Sequence, residues 1–142
     1  MGRAQVKRVL LAYATTALAF CALDFTWLGL VAPRFYDSQI GALLLPQPNL
    51  IPALIFYLLY VVGLVVFCVL PGIAKGEWHH AAIPGALLGL VAYGTYDLSN
   101  LATLQHWTMP LTIVDMTWGT VASAIASTCG WFFTRSLLGR QT

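Results

Sequence analysis

The 142-residue sequence predicts an all-α protein: a four-helix transmembrane bundle, one membrane domain, with both termini in the cytoplasm. Three observations lead there. The chain is 59% hydrophobic and 8% charged, whereas a globular domain carries about 25% charged residues. Four apolar stretches lie near residues 8–32, 50–70, 83–105 and 110–135. Each is long enough to cross a hydrocarbon core of about 30 Å, which takes roughly 20 helical residues. Six of the seven Lys and Arg residues fall on segments that must share one side. Backbone groups in lipid have to be satisfied within their own segment, so the spans are helices.

The first span follows Arg3, Lys7 and Arg8 and runs to Ala32. That is too long for the apolar core of a cleaved leader. Bulky Phe20 before Cys21 also departs from a lipoprotein processing site. Pro33 is expected to end this helix, leaving an outer loop over 34–49 with Pro46, Pro48 and the apolar Leu43-Leu44-Leu45. The second span opens around Pro52, carries Tyr57 and Tyr60, and is expected to stop at Pro71-Gly72. Glu77, His79 and His80 follow in a connection read as solvated, because adjacent histidines point to different faces and give poor metal-ligand spacing. In the third span Gly85, Gly89, Tyr93 and Asp97 recur every fourth residue, the small pair permitting close helix contact. Pro110 suits the first turn of the fourth span, where Gly119, Ala122 and Ala126 continue the face of Asp115. Trp78, Trp107 and Trp131 stand near helix ends, as interfacial aromatics do.

Arg3, Lys7, Arg8, Lys75, Arg135 and Arg140 then sit on the cytoplasmic side, with Arg34 alone on the other. This topology turns three scattered acids into one layer. Asp24 and Asp97 come late in outward-running helices, and Asp115 comes early in an inward-running one. At 1.5 Å per residue all three lie roughly 8–12 Å below the outer surface. An acid at membrane depth costs at least about 2.5–3.5 kcal/mol, so its default reading is a functional site. Asp97 shares a helix face with Asn100, Asp24 with Trp27, and Asp115 with Trp118. Two of the acids open the same phrase, Asp24-Phe25-Thr26-Trp27 and Asp115-Met116-Thr117-Trp118, on helices of opposite direction. Inverted repeats are a transporter device.

The layer predicts a ligand-binding pocket formed by Asp24, Trp27, Tyr57, Tyr60, Tyr96, Asp97, Asn100, Asp115 and Trp118, with Arg34 and His106 at its entrance. Coupled carboxyls without Lys or Arg among them hold a proton or await a cation. A small or lipid-like molecule, or an amphiphilic cation, is the expected occupant. Proton or cation transport is the rival, ranked second because the inner halves of the first and third spans offer few polar groups to carry water. A structural or assembly subunit held by a polar network is the third reading. Cys21, Cys68 and Cys129 have no paired spacing and read as buried small hydrophobes. No metal site, cofactor motif, nucleophile elbow or phosphate loop stands out, and no catalytic residue is identified. A net charge of +2 speaks against nucleic acid. The expected partners are membrane lipid, further copies of the chain, or a larger membrane complex.

Four strings carry a resemblance: Leu23-Asp24-Phe25-Thr26-Trp27-Leu28-Gly29, Phe56-Tyr57-Leu58-Leu59-Tyr60, Tyr96-Asp97-Leu98-Ser99-Asn100-Leu101-Ala102-Thr103-Leu104 and Asp115-Met116-Thr117-Trp118-Gly119. With them the chain resembles, nearly end to end, a family of bacterial inner-membrane proteins catalogued as domain of unknown function 2177. The chain has Trp107-Thr108 where that pattern has Trp-Pro, with Pro110 close by. The resemblance implies a multi-pass protein of the bacterial inner membrane, no established activity, and a link to lipid modification.

Overall fold

In the computed structural model, which describes residues 2–139, the chain is all-helical, with no strand among the described residues. Its helices are α1 (Arg3–Leu30), α2 (Ala32–Ile40), α3 (Leu50–Lys75), α4 (His79–Thr103) and α5 (Met109–Gly139). A 3-10 turn, Gly41–Leu43, follows α2. Two of the helices, α1 and α3, are by length and composition apolar enough to cross a membrane.

Several boundaries differ from those the sequence predicts, each for a local reason. Pro33 does not end helical structure. It sits in the first turn of α2, where its missing N–H is no loss, and Val31 (φ −106°) marks the bend between α1 and α2. The expected outer loop over 34–49 is therefore helical for its first half. Asn49 closes it by capping α3, its side chain accepting from Ile51 N at 3.2 Å. Pro71 does not stop α3 either. A π-type turn over Val65–Val69 widens the ladder just before the proline, and the helix runs on to Lys75. It ends where Gly76 takes the left-handed conformation (φ +85°) that favours glycine. Pro84 lies inside α4, which begins at His79 rather than near 83. Thr108 caps α5, accepting from Leu111 N at 3.3 Å, and α5 continues past Arg135. Arg140 lies outside the described residues.

The long helices pack antiparallel in chain order. At one end of the α1–α5 pair Thr15 and Thr134 hydroxyls are 3.0 Å apart, and at the other Trp118 meets Asp24. Along its length α5 lies against both α1 and α4, and α3 closes the remaining side. The α4–α5 seam is the tightest. A methyl on Gly89 would run into the Gly119 carbonyl, and one on Gly119 into the Tyr93 ring. Phe20, Tyr60, Val61, Leu64, Val65, Val69, Ala122 and Ala126 fill the centre. The outward faces are apolar too: Leu18, Leu59, Phe67, Leu87, Ile113 and Phe132 are all exposed. A surface of that kind suits hydrocarbon contact rather than water.

Arg3, Lys7, Arg8, Lys75 and Arg135 gather at one end of the bundle. There Trp131 Nε1 donates to the Gly72 carbonyl at 3.0 Å, and Arg135 stacks over the Trp131 ring at 4.8 Å while donating to the Gly76 carbonyl. That clamp ties the last turns of α5 to the end of α3. The acidic layer occupies the other end.

Candidate functional site

Asp24 and Asp115 come from facing helices, and each is almost fully buried, at 6% and 4% exposure. A buried carboxylate needs hydrogen-bond donors. Asp24 accepts from the Tyr57 hydroxyl on α3 and from Trp118 Nε1 at 3.1 Å. Asp115 accepts from the Tyr36 hydroxyl on α2, and Trp27 Nε1 reaches that same hydroxyl at 3.5 Å. The two indoles stack, with centroids 4.6 Å apart and planes 10° from parallel.

This gives the repeated phrase a physical meaning. The tryptophan of each Asp-x-Thr-Trp phrase serves the aspartate of the other, Trp118 directly and Trp27 through Tyr36. Even the threonines correspond: Thr26 and Thr117 each donate to the carbonyl four residues back, both at 2.7 Å. Two antiparallel helices thus make reciprocal contacts around the stacked indoles, one direct and one relayed by Tyr36.

Beside this network lies a cavity of about 590 Å³. Its polar wall is made by Asp24, Asp115, Tyr36 and Tyr57, and its aromatic wall includes Trp27, Trp118, Tyr93 and Phe56. Leu28, Leu44 and Phe56 lie on the cavity and are themselves 43–45% exposed, so its rim is apolar. Among the described residues no Lys, Arg or His lines it.

Of the residues singled out in the sequence, Asp24, Trp27, Tyr57, Tyr96, Asp115 and Trp118 meet at the cavity. Three do not. Tyr60 turns into the core, its hydroxyl 2.7 Å from that of Ser123. Asn100 is off the cavity wall, on the next turn of α4. Asp97 is completely buried behind the wall, and neither of its carboxyl oxygens has a hydrogen-bond partner. The reason is the spacing of α4: Gly85, Gly89, Tyr93 and Asp97 share the face pressed against α5, so Asp97 is carried into that seam. Arg34 and His106 are exposed and do not line the cavity; His106 holds a positive φ of 68° in the α4–α5 connection.

Tyr36, Phe56, Tyr93 and Trp107 line the cavity without having been singled out for it in the sequence, and Tyr36 is the one that bonds a site carboxylate. Its signal was the run Phe35, Tyr36, Ile40 after Pro33, an amphipathic turn inside what reads as a loop. Ile40 is buried and Gln39 accepts from the Thr108 hydroxyl at 2.7 Å, so α2 is docked over the end of the bundle.

The interior below the site is also more polar than expected. Thr16, Ser123, Ser127 and Thr134 are fully buried, and Thr15 meets Thr134. The expectation of a nearly dry inner half rested on α1 and α4; the hydroxyls come mainly from α5. Elsewhere, His79 and His80 do not diverge. Their rings lie 4.3 Å apart, and His79 Nδ1 is 3.3 Å from Glu77 Oε2.

A family model described as "Predicted membrane protein (DUF2177)" matches residues 9–132, nearly the whole described chain. No curated protein and no solved structure matches.

Proposed function

The chain belongs to the DUF2177 family of predicted membrane proteins, and on that premise we propose that it is a four-pass protein of the bacterial inner membrane whose cavity binds a small or lipid-like amphiphile. Both termini face the cytoplasm in this reading. The support is the charge distribution: five described basic residues gather at the end holding residues 3 and 139, and Arg34 is at the other. Although α4 and α5 carry more Gly, Ser and Thr than α1 and α3, their outward faces hold Leu87, Val91, Ile113, Val121 and Phe132, which suits lipid contact. Gly85, Gly89, Gly119, Ser123 and Ser127 are turned into the α4–α5 seam, and the exposed Thr95, Ser99, Thr103 and Thr117 hydroxyls each donate to the carbonyl four residues back.

The observation that carries the binding reading is the cavity itself. A polar network serving only to hold helices together would close on itself, yet here two buried carboxylates border a space of about 590 Å³. That is the size range of small-molecule sites, about 300–1,000 Å³, and like them it has apolar walls with a few convergent polar groups. The apolar rim favours an occupant entering from the outer leaflet, in keeping with a role in lipid modification. The test is native mass spectrometry of gently extracted protein. A specific bound molecule recovered with wild type and lost in Asp115→Asn supports the reading; folded protein that is always empty sinks it.

A second reading, proton or cation movement, draws on Asp97 and the buried hydroxyls. An unpartnered carboxyl in the α4–α5 seam sits above Ser123, Ser127, Thr16 and Thr134, which are spread along the inner half. Reconstituted vesicles with an internal pH dye decide it: an imposed gradient must collapse faster with wild type than with Asp97→Asn, and equal rates remove transport from consideration.

A further inference from the structure

We infer that the group taken into the cavity is an alkylated ammonium, carried on a lipid-like amphiphile or as a soluble quaternary amine; this rests on the binding reading above and adds the chemistry of the occupant. The first argument is charge. Asp24 and Asp115 both border the space, and no basic side chain among the described residues does. The described Lys and Arg residues stand at the far end or, like Arg34, are exposed and off the cavity wall. A phosphate or carboxylate head would meet two acids and no counter-charge in a water-poor site, where charges act more strongly than in water.

The second argument is the form of the walls. Trp27 and Trp118 present stacked indoles, and Tyr57 and Tyr93 add two further rings. Aromatic faces attract cations through their quadrupoles, and desolvated cages of this sort take quaternary ammonium groups. The third argument is hydrogen bonding. Protein donors already occupy both oxygens of Asp24 and one of Asp115. The donors stabilise negative charge there without neutralising it. A head group with methyl groups around the charge needs only that field and the ring faces.

The test uses the full chain in a neutral maltoside detergent, titrated with dodecyltrimethylammonium, dodecyl phosphate and tetramethylammonium while tryptophan emission is read. Dodecyltrimethylammonium should give a saturable change, with dodecyl phosphate at least about tenfold weaker. Asp24→Asn and Asp115→Asn should each weaken the ammonium about tenfold, the scale of one charge-assisted contact. Because a core substitution can disturb folding, Leu44→Lys provides a second variant on the exposed rim. A cation there should weaken the ammonium about threefold and strengthen the phosphate, by repulsion and attraction across a partly screened distance. Tetramethylammonium binding as tightly as the dodecyl compound assigns the group to a soluble quaternary amine, and binding tenfold weaker assigns it to a lipid head; either supports the inference. Dodecyl phosphate binding equally well, or an ammonium response indifferent to Leu44→Lys and to both carboxylates, overturns it while leaving an amphiphile site in place. Absence of a saturable response to any probe overturns the binding reading itself.

Discussion

Asp24 and Asp97 both come late in helices that run the same way, yet their surroundings separate them. Asp24 holds two donors, from Tyr57 and Trp118, while Asp97 is fully buried with neither oxygen partnered. Interhelical hydrogen bonds in membranes average about 0.6 kcal/mol and reach about 1.7, so losing those on Asp24 is a modest but measurable cost. We expect Asp24→Asn to destabilise by about 1–2 kcal/mol. Asp97→Asn removes a carboxyl whose burial nothing offsets, and brings an amide of the same size. We expect it to be neutral or to stabilise by up to about 1 kcal/mol, the lower end of the cost of an unsatisfied buried polar group. Thermal unfolding in one detergent at one lipid ratio compares them. If Asp97→Asn melts below Asp24→Asn, Asp97 has a partner that this account lacks. The same comparison shows whether Asp97→Asn is a sound variant for the proton-flux assay.

At the scale of elements, the seam between α4 and α5 sets the register of the bundle. Gly89 and Gly119 let the two backbones approach so closely that no Cβ fits at either position. Gly89→Leu should therefore separate the helices and cost about 3 kcal/mol or more, the upper range for forcing side chains into a packed interior. Gly29→Ala is the contrasting case. Nothing lies within 4 Å of a methyl added there, near the end of α1. That change should be neutral or stabilise by about 0.5–1 kcal/mol through helix propensity alone. Melting curves that rank the two the other way would show that the seam is looser than described. The element whose placement matters most to the site is α2. It is short and exposed along much of its length, yet it brings Tyr36 to Asp115 and docks through Ile40 and Gln39.

For the whole molecule, the arrangement proposed for the membrane follows from where the charges gather. Both described chain ends share the end that carries Lys75 and Arg135, and the cavity is at the opposite end beneath α2. Reporter fusions test this. A phosphatase that works only outside the cytoplasm should be active when fused after residue 45 and silent when fused after residue 142. The reverse pattern would invert the bundle and move the cavity to the cytoplasmic leaflet. The proposed opening toward lipid in the outer half rests on the apolar rim of Leu28, Leu44 and Phe56.

The sequence alone determined the helical class and the membrane family, and it singled out six of the residues that line the cavity. Those properties follow from composition and from periodicities of three or four residues, which are local. Asp24 with Trp27 and Asp115 with Trp118 were legible because residues three apart share a helix face whatever surrounds them. Which helix faces meet is not local. The rotation of α4 about its own axis, set by how closely Gly89 and Gly119 pack, takes Asp97 out of the cavity and into the seam. The docking of α2 adds a tyrosine from a segment that reads as a loop, because nine residues hold too little hydrophobic surface to announce a helix without the bundle beneath them. The polar interior of α5 escaped notice for the same reason: serines and threonines at small-residue positions become buried only when a neighbour presents glycine to them, as Gly85 does to Ser127. Tertiary structure decided the membership of the site, since it alone fixes how helices are turned toward one another.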